Sequence, residues 1–137
     1  MPALEAYKRE LDYSYAPGLF PSLEAMTKRP ELMRRLLVSS RGQDSEGVKK
    51  LMALAEEKHI RIETADKALS RISGKDNCFA AAVFEKRPLP LDGACDHIVL
   101  HHISDQGNLG TILRTALGLG YHDIAVIKLH ALPHFHR

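Results

Sequence analysis

Two short apolar runs, HIVLHHI at 97–103 and DIAVIK at 123–128, stand on either side of the glycine-closed stretch GNLGTILRTALGLG at 107–120. Each run is too short for a helix and suits a strand, whereas Leu109, Ile112, Leu113, Ala116 and Leu117 between them recur at helical spacing. Two strands joined through a helix cannot form a hairpin. The connection reads as a βαβ unit, a parallel pair with a crossover that should be right-handed, and the apolar stripe is expected to face that pair. A chain carrying this unit is committed to an α/β fold.

The same alternation runs upstream. An extended apolar segment at Arg35–Ser39 is followed by DSEGVKKLMALAEEKH, where Asp44 is a plausible N-cap and Val48, Leu51, Met52 and Ala55 form one helical face. IRIETA then alternates as a strand, DKALSRISG is a short helix stopped by Gly74, and CFAAAVFEK reads as a small-residue strand buried on both sides. That order predicts a parallel or mixed sheet covered by helices. Before it come an amphipathic start at Leu4–Leu11, a turn at Pro17-Gly18 and a helix near Ser22–Thr27 that Pro30 ends. KRPLPLDGACD at 86–96 has two prolines and no periodicity, so a boundary is expected within 87–95, dividing an αβ lobe at 1–88 from a βαβ unit at 96–137.

The 137 residues are 45% hydrophobic and 26% charged, proportions that suit a folded globular protein and exclude a disordered or fibrous one. Net charge is only +2, but Lys8-Arg9, Lys28-Arg29, Arg34-Arg35 and Lys49-Lys50 concentrate cations in pairs, either as solvated helix faces or as a phosphate-contacting surface. Cys78 and Cys95 lack metal-ligand spacing and are expected to be two buried thiols in a reducing cytoplasm. No leader is recognised and no apolar run reaches the roughly 18 residues of a membrane span, so no membrane association is expected.

Arg114 falls about 140° around the helix from Leu109, off the apolar stripe and beside Gly107, Thr111 and Gly118, which are too small to cover a guanidinium. Spacing alone admits an ordinary solvated arginine as readily as a ligand-facing one. Asn108 and Gly110 are expected at the strand-to-helix turn, where unpaired N–H groups favour anions. The turn lacks both the G-x-G-x-x-G fingerprint and a phosphate-loop lysine, which leaves a nucleotide-binding αβ protein as a weak third reading. His130, His134 and His136, with His101-His102, raise the question of zinc. Pro133 interrupts any helix there and no cysteine or carboxylate supports the set, so no metal is expected.

DQGNLGTILRTALGLGYHDIAVI resembles the first motif, N-x-G-x-x-x-R with a following glycine, of the SpoU (TrmH) family of RNA methyltransferases in the SPOUT class, the match falling on Asn108, Gly110, Arg114 and Gly120. RRLLVSS, EGVKKLMALAEEKHIRIETADKALSRIS and FAAAVFEK are similar to the small RNA-binding lobe, related to ribosomal protein L30e, that precedes the catalytic domain in many members. The resemblance covers nearly the whole chain. It implies methyl transfer from S-adenosylmethionine to a ribose 2′-hydroxyl of ribosomal or transfer RNA, with Arg114 at the hydroxyl or its phosphate and Asn108 orienting the RNA. Arg34, Arg35, Lys49 and Lys50 are the candidate RNA contacts of the lobe, and Gly107, Gly110 and Gly120 the motif glycines.

The family's later motifs, which build the cofactor pocket and the trefoil knot, have no counterpart in these residues. The expectation is therefore the front part of a methyltransferase, with a SPOUT domain lacking its knot, weak or no binding of S-adenosylmethionine, no activity alone, and doubtful formation of the family's homodimer. An RNA-binding module without catalysis is the alternative.

Overall fold

The computed structural model describes residues 4–74, 77–87 and 89–127, and the chain separates into two compact units, Met1–Arg87 and Pro88–Arg137. In the first, strand β1 (Tyr13–Pro17) leads into helix α1 (Leu19–Lys28), then a single 3-10 turn at Pro30–Leu32 and strand β2 (Met33–Val38). Helix α2 (Glu46–Glu57), strand β3 (Arg61–Thr64), helix α3 (Asp66–Ser73) and strand β4 (Ala80–Glu85) complete the unit. The strand order is β1-β4-β2-β3, with β4 antiparallel to both neighbours and β2 parallel to β3. The fold is a mixed α/β one.

β4 runs through the interior, and Ala80, Ala81, Ala82 and Val83 are fully buried because helices cover both faces of the sheet. One face packs Leu36, Val38, Ala80 and Ala82 under α1 and α2; the other packs Leu37, Ala81 and Val83 under α3. Ser22 of α1 is buried, where its hydroxyl donates to Ala16 O and accepts from Ala82 N, each at 2.9 Å, and so bolts the helix to β1 and β4. β1 is a strand where the sequence suggested only a turn; the YSYAP segment becomes extended by pairing with β4. Ser45, one residue beyond Asp44, caps α2 by accepting from Val48 N.

The second unit holds strand β5 (His97–His101), helix α4 (Gln106–Gly118) and strand β6 (Asp123–Ile127), with β5 and β6 parallel. Ala116 is buried and Leu109 and Ile112 are half-buried, but Leu113 and Leu117 are exposed. This corrects the expectation that the whole apolar stripe faces the strands: a two-stranded pair is too narrow to cover a stripe this broad. Cys95 is likewise exposed and Cys78 half-buried, rather than both being buried. Among the described residues no helix is long and apolar enough to cross a membrane.

Candidate functional site

α4 begins at Gln106, one residue before the stretch that reads as a helix in the sequence. The Asp105 carboxylate caps it, accepting from Asn108 N at 2.6 Å, so Gly107, Asn108 and Gly110 lie inside the helix. A carboxylate already occupies the site where an anion would sit. Of the free N–H groups expected there, that of Asn108 is taken by this carboxylate, whose charge disfavours a second anion beside it. Thr111 turns its hydroxyl back onto Gly107 O at 3.0 Å, and Gly120, at φ 88°, ends the helix in the left-handed conformation that favours glycine.

Arg114 is exposed on α4. A Cβ added at Gly110 or Gly118 would meet no atom within 4 Å, so the strip around the guanidinium is open. At about 100° per residue Gly107, Gly110, Thr111 and Gly118 share Arg114's side of the helix, while Asn108 stands about 120° away and about 9 Å along the axis. The helix therefore gathers the glycines with the arginine and leaves Asn108 on another side. One extended ligand could reach both; a compact one could not.

The four basic residues of the first unit part company. Arg34 is forked onto Asp12, its two terminal nitrogens 2.6 and 3.3 Å from the carboxylate oxygens, and it sits 5.4 Å from the Tyr13 ring centre. That guanidinium holds the Asp12 carboxyl below the usual carboxylate range. Arg35 is only 7% exposed and pairs with Glu63 at 2.7 Å, which takes it off the surface expected for it, since its place in β2 points it onto the α3 face of the sheet. Lys49 and Lys50 are exposed on α2.

The topology adds what spacing could not supply. β1, β2 and β3 point the same way, so α1, α2 and α3 all start at one edge of the sheet. At that edge the Asp66 carboxylate accepts from the Ser39 hydroxyl at 2.6 Å and from Ser40 N at 3.0 Å, and these donors lower its pKa. Gln43 Nε2 donates to the Thr64 hydroxyl at 3.0 Å, tying the loop after β2 to the end of β3. Sequence reasoning passed over these residues. Their types are legible as cap and turn formers, but their pairing across 21 to 27 positions is not.

In the second unit Cys95 Sγ donates to Asp92 at 3.3 Å, and this carboxylate, with desolvation, pushes the thiol pKa up, away from a nucleophilic thiolate. A shallow cavity of about 380 Å³ lies at the far end of α4 from Asn108, lined by Cys95, Asp96, Leu119, Gly120, Tyr121 and His122. Among the described residues no three His, Cys, Asp or Glu side chains are placed to hold a metal ion. His101 and His102 pack edge to face, and His130, His134 and His136 lie outside the described residues.

No protein-family model matches the chain, and no curated protein matches it. Solved structures do. One, an RNA 2′-O ribose methyltransferase, aligns over 86% of this chain and 46% of its own at 17% identity, with a TM-score of 0.56. Another, the SpoU methyltransferase AviRb from Streptomyces viridochromogenes in complex with the cofactor AdoMet, aligns over 84% of this chain and 45% of its own at 20% identity, with a TM-score of 0.61. The chain thus spans under half the length of either neighbour, and what it shares with these SpoU-class enzymes is the fold.

Proposed function

We propose that this chain supplies the RNA-recognising lobe and the arginine-bearing βαβ unit of an S-adenosylmethionine-dependent RNA 2′-O-ribose methyltransferase. The observation that carries the reading is Arg114: an exposed guanidinium in an uncovered strip of small residues, on the crossover helix of a parallel βαβ unit, within a fold shared with SpoU-class enzymes. In this reading 1–88 is an L30e-like lobe and 96–137 the start of the methyltransferase domain.

Methyl transfer to a ribose needs the 2′-oxygen to attack the methyl carbon as the C–S bond of the donor breaks, leaving a neutral thioether, while the hydroxyl proton passes to water. A guanidinium cannot take that proton near neutral pH, its pKa lying above about 12. Arg114 instead clamps the adjoining phosphate through paired N–H donors and steadies negative charge growing on the oxygen. Asn108, on a separate side of α4, contacts the backbone of the same RNA strand. S-adenosylmethionine would supply the methyl group, and no described residue is assigned to the cofactor.

Lys49 and Lys50 are the lobe's phosphate contacts, with ribosomal or transfer RNA as the partner. Arg34 and Arg35 are committed to Asp12 and Glu63 and are not among these surface contacts. Two free thiols suit a cytoplasmic setting, and the 137 residues by themselves are expected to remain without the homodimer.

The test is binding of ribosomal and transfer RNA transcripts at several salt concentrations, alongside calorimetric titration of S-adenosylmethionine. The expected outcome is RNA affinity that falls as salt rises, weakened in Arg114→Ala and in Lys49→Ala/Lys50→Ala, with little or no cofactor affinity and no methyl transfer. RNA affinity that ignores Arg114 would favour a binding module without catalysis. Absence of RNA affinity would defeat both readings.

A further inference from the structure

Residues 4–9, ahead of β1, form a strap whose Glu5 backbone is bonded to Tyr13 and Tyr15 on the α3 side of the sheet, and the row those tyrosines belong to is unusual for a core. Tyr15, Val83 and Arg35 stand in one cross-strand row, with Tyr13 two residues along β1 on the same face. The two tyrosine rings meet edge to face at 5.7 Å. Arg35 is buried with its Nε lacking any hydrogen-bond partner, although a terminal nitrogen reaches Glu63. Leaving such a donor unmatched is costly. Two aromatic rings, one of them also flanked by Arg34, beside a cation that still has a donor to give are the chemistry that grips an unpaired nucleotide: ring against base, guanidinium against phosphate.

The strap's own attachment is thin. Leu4 packs on the cluster of Leu37, Leu69, Ala81 and Val83 but is itself only half-buried, and residues 5–10 are all exposed. Polar bonds do the holding: the Tyr15 hydroxyl donates to Glu5 O, Glu5 N donates to the Tyr13 hydroxyl, and the Lys86 ammonium donates to Lys8 O at 3.2 Å and Arg9 O at 3.1 Å. Lys86 also lies 4.6 Å from the Tyr7 ring centre, and its own N–H bonds Asp12 O at 2.8 Å. A segment with so little apolar burial opens at low free energy, and one lysine makes a large share of its bonds.

We propose that residues 4–9 form a displaceable strap over a base-stacking face built from Tyr13, Tyr15 and Arg35, that Lys86 is its latch, and that the uncovered face takes an unpaired stretch of RNA. The occupant rests on the RNA-binding reading above. The strap and the face beneath it do not. Neutralising Lys86, as in Lys86→Gln or by acylation of its amine, removes the charge that holds two carbonyls and a ring. The population with the face uncovered rises, and apparent affinity rises with it.

The experiment combines trypsin cleavage after Lys8 and Arg9 with fluorescence anisotropy of labelled oligouridylate, on wild type, Lys86→Gln and a form lacking residues 1–9, each checked for folding by circular dichroism. The expected result is faster cleavage in Lys86→Gln and tighter oligouridylate binding, by about fivefold or more, in both altered forms. That gain should vanish on adding Tyr13→Leu, which keeps apolar bulk and removes the stacking ring. Unchanged cleavage in Lys86→Gln overturns the latch. Tighter binding in neither form, or a gain that survives Tyr13→Leu, overturns the stacking face. Those results leave binding of structured RNA through Lys49 and Lys50 intact, whereas loss of that binding in wild type strikes the functional reading itself.

Discussion

The two units carry apolar patterns of similar quality and bury them to different extents. Every buried hydrophobic residue described belongs to the first unit except Leu100 and Ala116. In the second, Val99, Leu113, Leu117, Leu119, Tyr121, Val126 and Ile127 remain exposed. The difference is one of layers. Four strands with helices on both faces give each apolar side chain something to pack on, while two strands under one helix leave the outer face of the pair and the shoulder of the helix bare. A periodic pattern thus states which side of an element is apolar; the number of layers decides whether that side is covered.

The widest gap between the units is expected from matched truncations. Leu36→Ala removes a fully buried side chain from the first unit and should cost about 2–5 kcal/mol, whereas Leu117→Ala, at 60% exposure, should stay within about 0.5 kcal/mol. Urea unfolding followed by circular dichroism measures both. Similar losses at the two sites would mean that α4's shoulder is covered in solution and would break the comparison.

A smaller effect is expected where the first unit depends on a single polar bolt. Ser22→Ala leaves Ala82 N without its acceptor inside the sheet and should cost about 1–3 kcal/mol. Hydrogen exchange would locate the damage at β4. Retained protection of the Ala82 amide would show that α1 is held by packing alone.

The smallest effect concerns pH. Asp66 has its pKa lowered by the Ser39 hydroxyl and Ser40 N–H, as Asp12 has by Arg34. Groups depressed on folding contribute stability above their unfolded pKa, about 3.9, and lose that contribution as pH falls through the folded value. Wild type should therefore lose more stability than Asp66→Asn as pH is lowered below about 4, a difference that thermal melts across acidic pH would read. Parallel profiles would mean that the Ser39–Asp66 link is too exposed to matter.

Much of the element order was readable in advance because helices and strands leave local traces. Gly74 and Gly120 mark helix ends in the left-handed conformation, and Val48, Leu51 and Ala55 face inward on α2 as their spacing requires. β1 was hidden, since YSYAP is short, runs straight into the Pro17-Gly18 turn and becomes a strand only against β4. Of the candidate site, the place of Arg114 on the outer side of its helix was legible from a 3.6-residue period. The fates of Arg34 and Arg35 were not, because a bulge between Met33 and Arg35 breaks the alternation of β2 and their partners, Asp12 and Glu63, lie 22 and 28 positions away.

Composition, period and turn chemistry by themselves determined an α/β chain with a parallel crossover unit and an arginine off its core, because those properties follow from interactions a few residues apart. Tertiary structure alone decided which cations reach solvent, which helices start at a common edge, that a carboxylate caps α4, and what lies beneath the strap. Each of these depends on contacts between residues far apart in the chain, which the fold creates and no local window contains.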